Sequence, residues 1–238
     1  MDRPANSIDL CQQMAAAHNG VCLLSFSCGK DSIAAWLQLR EHFDRIIPVY
    51  MYLVPGLEFI DRSLAYYEQV FQAEIIRLPH PSLYRWLNHL TFQPPEHCRI
   101  IEDAGLPSFD YDDVLTVAKE IAGVSQDTYT AVGVRSADSI NRHSAIKQHG
   151  PYNMARKQFY PVYDWKKEQL VDTIARSSIK LPPEYRLFGR SFDGLDYRFL
   201  KPIKEHFSAD YDRILAWFPL ADIELARMTY RSNYYGRT

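Results

Sequence analysis

Apolar positions along the chain fall into two periods that follow one another in a regular order. Residues 21–26 (VCLLSF) are a short apolar run between Gly20 and a loop containing Gly29, the pattern of a strand buried on both faces. Residues 31–43 then place Ile33, Ala34, Leu37 and Phe43 near one face of a helix. The same sequence of elements repeats: residues 46–52 (IIPVYMY) read as a strand, Pro55-Gly56 as a turn, and residues 59–72 as a helix with Ile60, Leu64, Tyr67 and Phe71 at helical spacing. Residues 74–78 (EIIRL) supply a third strand, and residues 7–19 a leading helix with Ser7 as N-cap candidate and Gly20 as its stop.

Beyond residue 80 the pattern weakens. Residues 80–106, rich in Pro, His and aromatic side chains, read as a short helix plus irregular connection. A helix over 111–122, closed by Gly123, and a fourth strand over 128–134 (TYTAVGV) follow. A polar, basic stretch reaches Lys157, then QFYPVYDW reads as a short extended piece. Helices are expected from Asp164, as cap, through Ser177, from Ser208 through Phe218, and over 219–230. Residues 181–194 read either as a substrate lid or as a surface loop anchored by Tyr185 and Phe188. Strands alternating with helices predict an α/β fold: a parallel twisted sheet of about five strands flanked by helices, with a helical C-terminal region.

Composition narrows the chemistry. The 238 residues carry a net charge of -2, so no overall field calls for a nucleic-acid backbone or an anionic membrane, and any anion site is local. Cys11, Cys22, Cys28 and Cys98 form no CxxC pair, which argues against disulfides, structural zinc and iron–sulfur clusters. No apolar stretch approaches 18 residues and the N-terminus MDRPANS lacks a signal-peptide core, so a cytoplasmic protein is expected. His80, His89 and His97 with Cys98 match no metal-ligand spacing, and His143 and His149 receive no role.

The stretch SFSCGKDS, residues 25–32, joins the first strand to the first crossover helix. Its Gly-Lys pair suggests a Walker loop, but that loop needs a glycine where Leu24 stands. A strand-to-helix turn containing Gly29 still aims backbone N–H groups and the positive end of a helix dipole at an anion. Ser27 and Ser32 add hydroxyls, Lys30 a point charge, and Asp31 a helix cap or Mg²⁺ ligand. A second basic locus lies in residues 135–157, where Arg135, Arg142, Lys147, Arg156 and Lys157 face the single acid Asp138. Guanidinium groups suit phosphate or sulfate because they grip two oxygens and stay charged.

Residues 27–32 (SCGKDS) resemble the SGGxDS pyrophosphate loop (PP-loop) of the N-type ATP pyrophosphatase, or adenine nucleotide alpha hydrolase, superfamily, with Cys28 where its first Gly is usual. Three further stretches resemble the phosphoadenosine phosphosulfate (PAPS) reductase-like branch. PVYMYLVPGLEF is similar to its second strand and turn, without that turn's usual acidic residue. VGVRSADSINR is similar to its Gly-x-Arg-x-x-[Asp/Glu]-Ser-x-x-Arg motif at Gly133, Arg135, Asp138, Ser139 and Arg142. FYPVYDW is similar to its Tyr-Pro-[Leu/Ile/Val]-x-x-Trp stretch at Tyr160, Pro161 and Trp165.

The resemblance runs over about residues 21–190. It implies a nucleotide-binding α/β domain over 1–200 with a helical extension, 201–238, packed on it. It puts Ser25, Ser27, Cys28, Gly29, Lys30, Asp31, Ser32, Tyr52, Gly133 and Ser139 on an adenine nucleotide, with Lys30, Asp31, Arg135 and Arg142 catalytic. ATP and Mg²⁺ are the cofactors expected, with Asp31 as the metal's protein ligand.

Sulfonucleotide reductases of that branch attack sulfur with a cysteine in a C-terminal tail, whereas this chain has no cysteine after Cys98. The complete Gly29-Lys30-Asp31-Ser32 loop suits ATP and attack at the α-phosphorus instead. The expected activity is ATP-dependent adenylyl transfer, to a small anion such as sulfate or another acceptor, or α-phosphate hydrolysis, with release of pyrophosphate. A reductase working through Cys28 and a nucleotide-binding module without turnover are the alternatives.

Overall fold

The computed structural model describes residues 3–235. Residues 236–238, the end of the expected C-terminal extension, lie outside the described residues. The order of elements is α1 (Ser7–Ala17), β1 (Val21–Ser25), α2 (Lys30–Leu39), β2 (Arg45–Tyr52), α3 (Glu58–Phe71), β3 (Ile76–Pro79), α4 (Pro81–Asn88), α5 (Pro95–Ala104), α6 (Tyr111–Ala122), β4 (Thr130–Val132), α7 (Ile140–His149), β5 (Tyr152–Asn153), β6 (Gln158–Phe159), α8 (Lys167–Arg176), α9 (Tyr185–Phe188), α10 (Tyr197–His206), α11 (Ser208–Trp217) and α12 (Asp222–Tyr235). The chain forms two compact units of interleaved segments. Among the described residues, one comprises the chain up to Met51 with Leu64–Leu78 and Leu115–Pro182; the other comprises Tyr52–Ser63, Pro79–Val114 and the described residues from Pro183 on.

The first unit is built on a six-stranded sheet in the order β3-β2-β1-β4-β6-β5. β1 pairs in parallel with β2 (Leu23 opposite Ile47) and with β4 (Leu23 opposite Thr130), and β4 pairs in parallel with β6. The sixth strand, β5, is two residues long and antiparallel to β6, one more strand than the hydrophobic pattern predicts.

Because side chains alternate across a strand, the apolar run of β1 fills both faces. Leu23 packs with Ile47, Val49, Leu115 and Ala118, the last two from α6. Phe26, three residues on, points to the opposite face, where its ring meets Tyr67 and Phe71 of α3 at 5.0 and 5.2 Å. Trp36 of α2 stacks on Phe71 with ring centroids 3.9 Å apart. Ala34 joins Val162, Trp165 and Leu170 in a further cluster that seats α8 on α2. The expected α/β class is therefore the observed one, a mostly parallel sheet with helices on both faces.

In the second unit α3 begins under a buried carboxylate. Asp210 of α11 accepts from the Glu58 and Phe59 N–H groups at 2.6 and 3.1 Å, satisfying donors that a helix start leaves open. Phe59 then packs among Phe188, Phe192 and Phe207. Phe188 and Phe192 also meet Phe199 of α10, and residues 185–188 within the 181–194 stretch form the short helix α9. Beside them Ser63 donates to the buried carboxylate of Glu184 at 3.1 Å.

Local expectations shift in definite ways. Asn6, not Ser7, caps α1, accepting from the Asp9 N–H, while Ser7 uses its own N–H to reach Asp164. Asp164 is thereby removed from the start of α8, which has Lys166 at its N-cap position. The middle region holds two helices, α4 and α5, and the basic stretch after β4 holds α7 and the β5–β6 hairpin. Among the described residues no helix is long and apolar enough to cross a membrane.

Candidate nucleotide site

The loop between β1 and α2 is fixed from both ends. Phe26 extends the ladder by one bond, its N–H donating to the Val49 carbonyl at 2.9 Å. Ser32, 4% exposed, then ties the loop to the first turn of α2. Its Oγ donates to the Gly29 carbonyl at 2.9 Å and accepts from the Ser27 N–H at 3.3 Å, with the Ser27 hydroxyl also at 3.3 Å. Cys28 lies between these braces with φ +56, a left-handed conformation that favours glycine, and its side chain is buried.

Gly29 is the N-cap of α2 and carries no side chain to cap it. The N–H groups of the first turn of a helix have no acceptor within the helix, so those that open α2 face the end of β1 as donors. These donors and the positive end of the helix lie at the carboxyl end of β1, the edge where open α/β sheets bind ligands.

The neighbouring strand brings the second half of the site. β4 runs beside β1, and Gly133 passes directly over the start of α2. From there a chain of alternating charges crosses the edge. Lys30 Nζ lies 3.0 Å from Asp31 Oδ2, and Arg135 Nε donates to Asp31 Oδ1 at 2.9 Å. Arg135 Nη2 reaches Asp138 Oδ1 at 2.7 Å, and Arg142 Nη1 reaches Asp138 Oδ2 at 3.0 Å. Asp138 also accepts from the Arg135 N–H at 3.1 Å. The middle arginine is 7% exposed at its side chain, whereas Lys30 and Arg142, at the two ends, are 33% and 50% exposed.

Of the residues expected from the sequence, Ser25, Ser27, Cys28, Gly29, Lys30, Asp31, Ser32, Gly133, Arg135, Ser139 and Arg142 all lie in the first unit. Ser25 closes β1 opposite Val49 and Val132. Ser139 caps α7, accepting from the Arg142 N–H at 3.2 Å. Tyr52 closes β2 and belongs to the second unit, where its carbonyl accepts the His80 N–H at 2.9 Å and burial, with Tyr84 nearby, raises its phenol above the usual range. The other cations of the basic stretch are engaged elsewhere or exposed: Lys157 pairs with Asp127, and Lys147 and Arg156 stand in solvent.

Sequence reasoning placed Asp138 within a motif without a role, yet it joins both arginines. The signal was its spacing, three residues after Arg135 and four before Arg142, which suits ion pairs around a helical turn.

Divalent metal fits this arrangement poorly. Both Asp31 oxygens already hold a cation, and among the described residues no group of three or more His, Cys, Asp or Glu is placed to ligate an ion. A cleft of about 1250 Å³ exists in the first unit, but it is lined by Arg45, Ile46, Ile76 and Trp36, at the amino ends of β2 and β3, away from the loop.

No protein-family model matches the chain, and no curated protein matches it. Among solved structures it is similar to an NH3-dependent NAD synthetase from Campylobacter jejuni, with a TM-score of 0.47 and 10% identity over 95% of this chain and 93% of that one. It is also similar to the U34-tRNA thiolase NcsA from Methanococcus maripaludis, with a TM-score of 0.43 and 12% identity over 91% of this chain and 79% of that one. Neither likeness reaches a level at which chemistry carries over.

Proposed function

We propose that the chain is an ATP-using enzyme of the PP-loop superfamily, near its PAPS reductase-like branch, that cleaves ATP between the α- and β-phosphates. The observation that carries this reading is the braced turn at the start of α2. There the helix start and the Ser27 hydroxyl lie beside the Lys30 ammonium, which a chain of ion pairs through Asp31, Arg135 and Asp138 links to the Arg142 guanidinium.

In this reading the turn and Lys30 hold the β,γ-phosphates, and Lys30 exchanges Asp31 for a phosphate oxygen. An acceptor oxygen forms a bond to the α-phosphorus as the bond to the bridging oxygen breaks, and the electron pair leaves with pyrophosphate. Arg142 offers its remaining N–H groups to charge that develops near the α-phosphate. Arg135, buried between two carboxylates, holds Asp31 and Asp138 in place rather than meeting the phosphate itself. Mg²⁺ would supply charge neutralisation for the leaving pyrophosphate; Asp31, the carboxylate that Lys30 releases, would be the residue nearest to hold it, and no step here depends on it. Adenylylated acceptor is the product, or AMP where water attacks.

Burial of Cys28, at 2% exposed, supports this reading over a reductase that would need that thiol as nucleophile. The test is incubation with ATP and Mg²⁺, with and without sulfate, resolving AMP, ADP, pyrophosphate and adenylyl sulfate. AMP or an adenylyl product with pyrophosphate is expected; ADP with inorganic phosphate rejects the reading.

A further inference from the structure

We infer that Asp138 is a positioning residue that sets Arg142 for the nucleotide, an inference that rests on the proposed function. Its carboxylate receives three donors: Arg135 Nη2 at 2.7 Å, the Arg135 N–H at 3.1 Å and Arg142 Nη1 at 3.0 Å. Two of the three serve to fix Asp138, since Arg135 is itself buried and anchored to Asp31 at the start of α2. Ser139 caps the helix that carries Arg142, so the backbone is fixed as well.

The consequence concerns Arg142 alone. A half-exposed arginine on a helix samples many rotamers, and ordering it at the moment of binding costs conformational entropy. Asp138 orders it beforehand by engaging Nη1, while the side chain stays half-exposed. Asp138 touches no phosphate; it acts through the arginine.

Charge and geometry make opposite forecasts for Asp138→Asn. The substitution removes a negative charge next to an anion site, so electrostatics alone would tighten ATP binding and raise the rate. Loss of a fixed Arg142 would instead slow the chemical step with little change in KM, because its interaction is strongest in the transition state. The second outcome is expected: kcat for pyrophosphate release falls roughly tenfold or more while KM stays within about threefold.

A double-mutant cycle separates this from a general structural role. If Asp138 works through Arg142, Asp138→Asn added to Arg142→Ala costs no more than about twofold beyond Arg142→Ala alone. Full additivity in kcat overturns the inference. Asp138→Glu, which keeps the charge, recovers part of the lost kcat; no recovery alongside additive losses has the same overturning force.

A readout independent of catalysis completes the test. In ¹⁵N spectra of the full chain, the Arg142 side-chain N–H resonances should be resolved in the parent protein and broadened or lost in Asp138→Asn, with backbone resonances of β1 and β4 unmoved. Unchanged Arg142 resonances overturn the inference even if ATP is cleaved. Where the parent protein releases no pyrophosphate, the proposed reaction fails by itself, and the spectra still decide whether Asp138 orders Arg142.

Discussion

Gly133 lies so close to Asp31 that a Cβ on it would sit 2.6 Å from the Asp31 carbonyl oxygen and 2.9 Å from the Ser32 nitrogen. Both are backbone atoms of the first turn of α2, so neither can swing aside as a side-chain tip would. The absence of a side chain at Gly133 lets the end of β4 meet the turn that holds the candidate phosphate donors. Gly133→Ala should therefore force the turn and the strand apart, at about 1–3 kcal/mol for overpacking. The expected outcome is a lower denaturation midpoint together with loss of ATP binding by calorimetry. Retained binding at parental affinity would show that the turn tolerates displacement.

Ser32 and Lys30 are neighbours in the loop but should respond differently. Ser32→Ala removes a buried hydroxyl that bonds the Gly29 carbonyl and the Ser27 N–H, at about 1 kcal/mol for each bond lost. Lys30→Ala removes an ion pair that is partly exposed on both sides, and such pairs contribute about 0–1 kcal/mol. Urea melts should rank Ser32→Ala as the less stable variant, whereas ATP binding should suffer at least tenfold in Lys30→Ala, by roughly 1.4 kcal/mol or more. The reverse ranking would falsify the division between a bracing serine and a phosphate-binding lysine.

Cys28 separates strain from packing. Its φ of +56 disfavours any residue with a Cβ and penalises β-branched ones most, while its buried thiol fills space. Relief of strain and loss of packing nearly cancel in Cys28→Gly, which should stay within about 1 kcal/mol of the parent protein. Cys28→Val, branched at Cβ in the same conformation, should lose about 2 kcal/mol or more. Thermal or urea denaturation of the two variants checks the contrast, and a Val variant as stable as the Gly one refutes the conformational account.

Much of the first unit was legible because its strands announce themselves. Residues 21–26 are apolar without alternation, which only a strand covered on both faces requires, and the loop after them carries polar residues in a pattern that packing does not explain. Gly133 was legible as a motif position; its reason, a backbone contact with a loop a hundred residues earlier, was not. The pairing of Arg135 with Asp31 was hidden in the same way, since sequence spacing cannot show that β4 lies beside β1. Asp164 misled because a carboxylate before an apolar run reads as a cap, whereas tertiary structure assigns it to the Ser7 N–H. Helix α10 escaped detection for a local reason: Pro202 stands inside it, and proline inside a helix normally ends one. Burial of Phe199, Leu200 and Ile203 on one face holds the helix against that cost.

Glu184 is the buried carboxylate whose titration should be visible in stability. It is 3% exposed, and burial raises its pKa above that of an ordinary glutamate although the Ser63 hydroxyl donates to it. In the unfolded chain the carboxyl loses its proton first as the pH rises, so the unfolded state gains relative to the folded one across the interval between the two pKa values. Below that interval both states are protonated and Glu184 imposes no penalty; above it the folded state carries a buried charge in full. Glu184→Gln keeps an oxygen to accept from Ser63 and removes the charge. The variant should be more stable than the parent at pH 8, and the gain should shrink toward pH 4. Urea midpoints at the two values check this. A gain that is larger at pH 4, or a loss at pH 8, would mean that the charge-assisted bond from Ser63 outweighs desolvation at this site.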